Sequence, residues 1–442
     1  MAMVVKNNMS AISTLNTLNK NSSALSKSLE KVSSGMKINS AADDASGYAI
    51  SERMRVQIRS LDQANANTQA GNSMLKVAEG AVSSTVDILK TLKEKVINAA
   101  NDTNTDDDRA TIQKELNQSI DQIDDNANVT YNGKYLVDGS KNTVGKATCT
   151  VMTNQMLNTA TANTSALTSL KNANAESLEI LSTDKVSVSY THQGKTYSTV
   201  FTVGTNQMSD LATKVYNAGA KAGDSGVSFK FTTKTTSVIG TAASGATVYT
   251  ANGNSAISLQ ATKSGISGQV AGFSIRITDK EGNVKKSANA ALDAFSEQIK
   301  AQNESQDNAL TFQVGAKANQ SIKVGLGDMR SEALGLKGSD GTKLNISTQE
   351  KANAAISVLD NAVQKALDQQ TTIGSIESRL SYTSTNLTTA SENVQASEST
   401  IRDADMAKEM TNYTKNNVLL QAAQSMLAQA NQSSSSVLSL LQ

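Results

Sequence analysis

Leu15, Leu18, Ser22, Leu25, Leu29 and Val32 follow one another at alternating steps of three and four, the spacing that lays side chains along one seam of a supercoiling helix. Gly35 interrupts that series. A second one starts at Ile50 and Met54, passes Leu61 and Ala64, weakens at Thr68 and Gly71, and resumes as Leu75, Ala78, Val82, Thr85, Leu89, Leu92, Val96 and Ala99. It predicts one helix of roughly fifty residues, about 75 Å long at the standard rise. The polar stretch 101–108 is short enough to force an antiparallel return into a shorter helix carrying Ile112, Leu116, Ile120, Ile123 and Ala127. Near the other end Ser347 precedes Glu350 by the spacing of a capping box. It opens a helix in which Leu359, Ala366, Ile373, Leu380, Leu387, Val394 and Ile401 recur in strict heptad register.

The last series, Met406 to Leu441, carries two neighbouring seams: Leu419, Ala423, Met426, Ala430, Val437 and Leu440 on one, Leu420, Leu427, Leu438 and Leu441 beside it. A helix with two apolar seams has neighbours on more than one side. From Asn416 onward this segment contains no ionisable side chain. Such a face is poorly satisfied on a lone molecule, and burial against further copies is its natural use.

The middle of the chain, about 141–308, changes period. Val186, Val188 and Tyr190 alternate before a turn at Thr191–Gly194, and Tyr197, Val200, Phe201 and Val203 follow it, which predicts a β-hairpin. Further strands are expected at Val227 to Phe231, Ile257 to Leu259 and Phe273 to Ile277, the last followed by a turn through Glu281-Gly282. Short helices around Leu211 to Ala218 and Ala288 to Ile299 complete an α+β insert.

Composition supports long helices. The 442 residues include no proline and no tryptophan, one histidine and one cysteine, so the strongest helix breaker is missing throughout. The length is enough for two to four domains and at least one buried core. A formal net charge of +1, without a basic run, offers no electrostatic footprint for nucleic acid. Cys149 has no second thiol to pair with and reads as a small, half-buried apolar residue. The stretch MAMVVKNNMSAIST lacks the apolar run of a secretory signal, and no window approaches a membrane span. Membrane insertion and the general secretory route are therefore not expected.

The segment SLEKVSSGMKINSAADDASGYAISERMRVQIRSL, Ser28 to Leu61, resembles the N-terminal signature of bacterial flagellins. TIRDADMAKEM, Thr400 to Met410, with LLQAAQSMLAQANQ and a closing VLSLLQ, resembles the C-terminal one. Compact members of that family follow a YNGKYLVDGS-like hairpin almost directly with an LTFQVGANANQ-like strand. Here Tyr131 to Ser140 and Leu310 to Gln320 carry the likeness but lie about 170 residues apart, so the segment between them is an insertion.

The resemblance implies a mainly α fold: a long antiparallel helical coiled-coil bundle built from the paired N- and C-terminal segments, with a β-hairpin and an inserted α+β outer domain. Residues 1–44 and 405–442 would form an inner coiled-coil tube. Residues 45–140 and 309–404 would form the next shell, and 141–308, as one or two subdomains, would face solvent. It further implies export in an unfolded state through the flagellum-specific type III pathway, assisted by an export chaperone, and polymerisation beneath a flagellar cap onto hook-associated proteins. A filament needs head-to-tail contacts whose rotation does not close, and apolar terminal helices without partners supply them. The ends would be disordered before assembly and order on incorporation. The residues expected to hold the assembly are Leu15, Leu18, Leu25, Leu29, Val32, Leu89, Leu92, Leu380, Leu387, Leu420, Leu427 and Leu438.

Candidate chemistry elsewhere is thin. Asp102 to Asp106 copies the first half of an EF-hand loop, but Asp107 stands where the loop glycine belongs and Gln113 where the bidentate glutamate belongs. An interhelical turn with Asp side chains capping the next helix accounts for it. His192 falls at a predicted hairpin tip, the wrong place for a buried catalytic base, and one histidine cannot make an HExxH zinc site. No G-x-S-x-G elbow occurs, and Gly325-Leu326-Gly327 lacks the third glycine of a dinucleotide fingerprint. The Asn-x-Ser/Thr triplets are what an Asn-, Ser- and Thr-rich chain must contain. No enzymatic activity, cofactor or metal is expected.

Flagellins recognised by the Toll-like flagellin receptor carry a Gln-Arg-x-x-x-Leu element on their first long helix. The comparable residues here are Lys90, Thr91 and Lys95, while Glu115 and Arg379 keep the family's pattern. Losing a bidentate Arg anchor weakens an interface by about 2 kcal/mol. The expectation is a filament subunit with attenuated receptor engagement. Two alternatives are a hook-filament junction protein with the same paired ends and an adhesin displayed through the insert, although the insert has few aromatics to stack on sugars.

Overall fold

The computed structural model describes residues 8–221, 229–233, 238–250 and 256–440. Three helices come first: α1 (Met9–Ser34), α2 (Ala45–Ala99) and α3 (Asp106–Ala127). The hairpin β1 (Thr130–Tyr131) and β2 (Lys134–Tyr135) follows. The middle holds β3 (Val151–Asn154), β4 (Lys185–His192), β5 (Lys195–Thr202), α4 (Met208–Lys221), β6 (Phe229–Thr233), β7 (Val238–Thr241), β8 (Thr247–Tyr249), β9 (Ile257–Ala261), β10 (Val270–Thr278), α5 (Lys286–Leu292) and β11 (Ser296–Ile299). The chain closes with the pair β12 (Leu310–Gln313) and β13 (Ser321–Val324), a single turn α6 (Ser331–Leu334), and the long helices α7 (Gln349–Arg402) and α8 (Met406–Leu440).

The long helices begin and end where side chains satisfy their free backbone groups. The Asn8 carboxamide accepts the Ala11 N–H at 3.0 Å to open α1, and Gly35, at φ 71°, closes it by donating to Lys31 O. Asp44 Oδ1 accepts Ser46 N and Gly47 N at the start of α2. A Cβ on Gly47 would come within 2.7 Å of the Ile38 methyl and closer still to Asp44, so the start of α2 demands glycine. The cap of α3 is Thr105, not an aspartate: its hydroxyl accepts Asp108 N while Asp108 accepts Thr105 N, a reciprocal capping box. α7 opens one residue later than the Ser347–Glu350 spacing predicts, with Thr348 accepting Lys351 N. The weak stretch at Thr68 and Gly71 does not break α2: a Cβ on Gly71 would lie 2.9 Å from the Phe312 ring, so glycine makes room for an aromatic.

The chain divides into two units, Met1–Thr68 with Gln313–Gln320 and Tyr382–Gln442, and Gln69–Phe312 with Ser321–Ser381. In the first unit α1 packs on α8, and Leu61, Ala64 and Leu387 form an apolar cluster joined by Ala390 and Val394. In the second, Leu75, Val82, Leu89, Leu92, Val96, Leu359, Ile373 and Leu380 are fully buried among the long helices, and Leu116, Ile120 and Ile123 of α3 with them. Arg109, itself buried, ends α2 from outside: Nε donates to Ala99 O at 2.9 Å and Nη2 to Asn101 O at 3.0 Å.

The β-rich part lies within the second unit. β10-β4-β5 form one antiparallel sheet and β11-β3-β9-β6 another, and one apolar cluster joins both with α4 and α5, including Tyr190, Leu211, Leu259, Phe273, Ile275 and Leu292. The turn between β4 and β5 is Gln193-Gly194, both at positive φ as a tight hairpin of this hand requires. Two expectations change. His192 is buried at that turn rather than exposed, its ring nitrogen 2.9 Å from Ser267 O. The helix expected over 288–299 stops at Leu292, where the buried Asn154 carboxamide donates to Ala291 O, and 296–299 becomes β11 against β3. The strand expected at Val227 to Phe231 is described as β6 from Phe229 onward, and Val227 and Ser228 lie outside the described residues.

Candidate functional site

The two family-like signatures meet in the first unit. Ala11, Leu18, Leu25 and Val32 occupy one heptad position of α1 and Thr14, Asn21 and Ser28 the alternate one, and these are its less exposed residues. Opposite them on α8 stand Asn416, Leu420, Ala423, Leu427 and Ala430. The helices run antiparallel: Asn8 Nδ2 donates to Ala430 O at 3.2 Å, Asn21 Nδ2 to Leu419 O at 3.1 Å, and Asn416 Nδ2 to the Ser28 hydroxyl at 3.1 Å. One of the two heptad positions on α1 is therefore polar, and carboxamides reach across the pair from both helices. Polar residues at such positions cost stability and fix register.

Beyond α1 the chain turns through Gly35–Ile38 and meets the turn between α7 and α8. Met36 bridges Asp403, Lys37 N donates to Arg402 O at 2.7 Å, and Ala404 N to Gly35 O at 2.9 Å. Arg402, buried at 7% side-chain exposure, reaches Glu52 at 2.6 Å and lies over the Tyr48 ring. The hydrogen bond from Arg402 holds the Glu52 carboxyl below its ordinary range. Asp405 Oδ1 then accepts Ala407 N and Lys408 N to start α8. SGMKIN and IRDADM are thus two halves of one joint.

The pairing leaves apolar side chains over. Ile12, Leu15 and Leu29 on α1 and Val418, Leu419 and Met426 on α8 are exposed, Met426 at 61%. The structure thereby divides the twelve expected assembly residues. Leu18, Leu25, Val32, Leu420 and Leu427 lie half-buried in the α1–α8 seam, whereas Leu15 and Leu29 lie on the outward face. Leu89, Leu92 and Leu380 are fully buried in the helical interior of the second unit, and Leu387 sits against Leu61 and Ala64 in the first. Leu438 belongs to α8, but its side chain, like those of Val437 and Leu440, lies outside the described residues, as does Leu441 altogether. Apolar counting missed Thr14, Asn21, Ser28 and Asn416; the signal was present in the seven-residue repeat of Thr14, Asn21 and Ser28.

On the second unit Lys90 and Thr91 are exposed, and both engage Asp87, by an ion pair at 3.2 Å and by a hydroxyl donating to the carbonyl at 3.0 Å. Lys95 and Glu115 pair with each other at 3.1 Å, and Arg379 is exposed on α7. Cys149 Sγ lies 3.3 Å from the Gln260 amide. Among the described residues no group of three or more His, Cys, Asp or Glu is placed to hold a metal, and no helix is long and apolar enough to cross a membrane.

Paired terminal helices with outward apolar stripes in the first unit, and long helices carrying an α+β insertion in the second, define a class of helical structural protein. Residues 5–142 match the bacterial flagellin N-terminal helical region and residues 356–441 the bacterial flagellin C-terminal helical region. The chain is 34% identical over 432 residues to a flagellin of Clostridium tyrobutyricum, covering 97% of this chain and 99% of that one. It is 30% identical over 460 residues to a flagellin of Bacillus subtilis (strain 168), covering 99% and 100%. To the flagellar filament 33 kDa core protein of Treponema phagedenis it is 28% identical over 441 residues, covering 99% and 100%. The chain belongs to the bacterial flagellin family, whose members are structural subunits of the flagellar filament.

Proposed function

We propose that this chain swims rather than reacts: exported and extracellular, it polymerises into the filament by burying the outward stripes of α1 and α8 against other copies. The observation that carries this is the set of large apolar side chains left exposed once the two helices have paired. Residues 1–44 and 405–442 form the inner tube, 45–140 and 309–404 the surrounding shell, and 141–308 the solvent-facing part. The heterologous contact of one stripe on another repeats without closing and so builds a fibre. An export chaperone, the flagellar cap and hook-associated proteins are the partners that such a route requires. In electron microscopy, heat-dissociated full-length chain returned to assembly conditions should give filaments, and a chain lacking residues 405–442 should give none. Filaments from the truncated chain would refute the reading. Abundance in sheared filaments separates this role from that of a hook-filament junction protein.

A second reading concerns the Toll-like flagellin receptor, for which we propose attenuated recognition. Besides the substitutions at Lys90, Thr91 and Lys95, the Lys95–Glu115 ion pair occupies the carboxylate that a receptor cation would use. Arg379, exposed on α7, keeps the family's pattern. In a cell reporter assay the chain should fall at least tenfold short of a flagellin carrying the Gln-Arg-x-x-x-Leu element. Equal potency would contradict this.

A further inference from the structure

A cleft of about 600 Å³ in the second unit separates the outer face of the β10-β4-β5 sheet from the first turns of α7. That volume is within the range of small-molecule sites. Strand register builds its floor: Ser274, Ser189 and Ser198 stand side by side in one row, and Arg276 stands beside Ser187 in the next. These residues alternate along β10 with Phe273, Ile275 and Ile277, which are buried in the apolar cluster beneath, so hydroxyls and a guanidinium are what the sheet presents. Arg276 is half-buried and has no ion-pair or hydrogen-bond partner among the described residues.

The acids around it do not answer it. Asp360 on the α7 wall is paired with Lys93, and Asp293 accepts Ile275 N at 2.9 Å. Glu350 lines the same wall and makes no ion pair among the described residues. A planar guanidinium without a partner recruits a planar carboxylate in bidentate fashion. The serine row and Glu350 in turn call for hydroxyl groups, the serines giving and accepting hydrogen bonds and the carboxylate accepting them. A phosphate dianion fits worse, because Glu350 and Asp360 repel its second charge. The half-buried Phe295, edge-on to the buried Phe273 with centroids 5.2 Å apart, lines one side of the cleft.

We infer that this cleft binds a carboxylated sugar, with Arg276 on the carboxylate and Ser189, Ser198 and Glu350 on the hydroxyls. It stands on the geometry of the second unit and is independent of the polymerisation reading. The test is ligand-observed NMR or calorimetric titration of the monomeric full-length chain with D-glucuronate, its methyl ester, D-glucose and inorganic phosphate. Glucuronate should bind saturably, and the ester and glucose at least tenfold more weakly. Arg276→Gln should lose at least tenfold, while Arg53→Gln, exposed on α2, should keep the parent affinity. Should Arg276→Gln fail to fold, Ser189→Ala, expected to lose several-fold, decides in its place. No saturable glucuronate binding, parent-like affinity in folded Arg276→Gln or Ser189→Ala, or phosphate binding as tightly as glucuronate would each overturn the assignment.

Discussion

At the scale of single residues, the costly feature is a charge pair between strand β11 and helix α7. Lys365 and Glu297 face each other at 3.7 Å with side chains 9% and 4% exposed, and Lys365 Nζ donates to Ala333 O at 3.4 Å. Burial pushes the Glu297 carboxyl up, against the pull of Lys365 and Lys300, and pushes the Lys365 ammonium down. A carboxyl whose pKa is raised by folding favours the native state when protonated. Its contribution is therefore present at low pH and lost as pH climbs through the raised value. Lys365→Met leaves that carboxylate buried and unpaired and should destabilise the second unit by about 3 kcal/mol at neutral pH. The deficit should shrink as pH falls, and Glu297→Gln with Lys365→Met should return to near the parent. Urea unfolding across pH checks this; a deficit independent of pH would contradict the charge explanation. Nothing in the sequence marks this pair, because Glu297 falls in a segment whose period reads as helix and whose strand character comes from pairing with β3. His192 is similar: hairpin pattern placed it at a tip, but it is buried with its ring nitrogen against Ser267 O.

At the scale of elements, the helices were legible because their burial repeats at seven over long distances without a proline to interrupt, as Leu359, Ala366, Ile373 and Leu380 show. Their ends were legible to within a residue or two, since Thr348 caps as well as Ser347 and only the backbone decides between them. What apolar counting could not resolve was which face of α1 turns toward α8. Leu15 and Leu29 read as seam residues, but the seam belongs to Leu18, Leu25 and Val32 together with Thr14, Asn21 and Ser28. Hydrogen bonds across the pair do the sorting that hydrophobicity leaves undone. Removing the Asn416 carboxamide with Asn416→Ala should therefore weaken the α1–α8 pair by about 1 kcal/mol. Replacing Asn21 and Asn416 together by leucine should instead raise helicity and loosen the register. Circular dichroism and amide exchange on the assembled filaments read both; equal melting of all three chains would show that the carboxamides carry no weight.

At the scale of the whole molecule, the pairing of the chain ends satisfies one face of each terminal helix and leaves the other to water. Apolar side chains stranded in this way, on helices whose terminal run carries almost no charge, are an incomplete interior that identical copies can complete. Sequence made the ends and the insertion visible, because both signatures are long and the segment between their halves is foreign to the heptad pattern. The most direct measurement is hydroxyl-radical footprinting of the methionine thioethers in free chain and in sheared filament. Met426, 61% exposed in the single chain, should oxidise at least fivefold more slowly in the filament, while Met156, exposed on the insert, should keep its rate. Equal oxidation of Met426 in the two states would mean that no copy covers the stripe, and the account of assembly would fail with it.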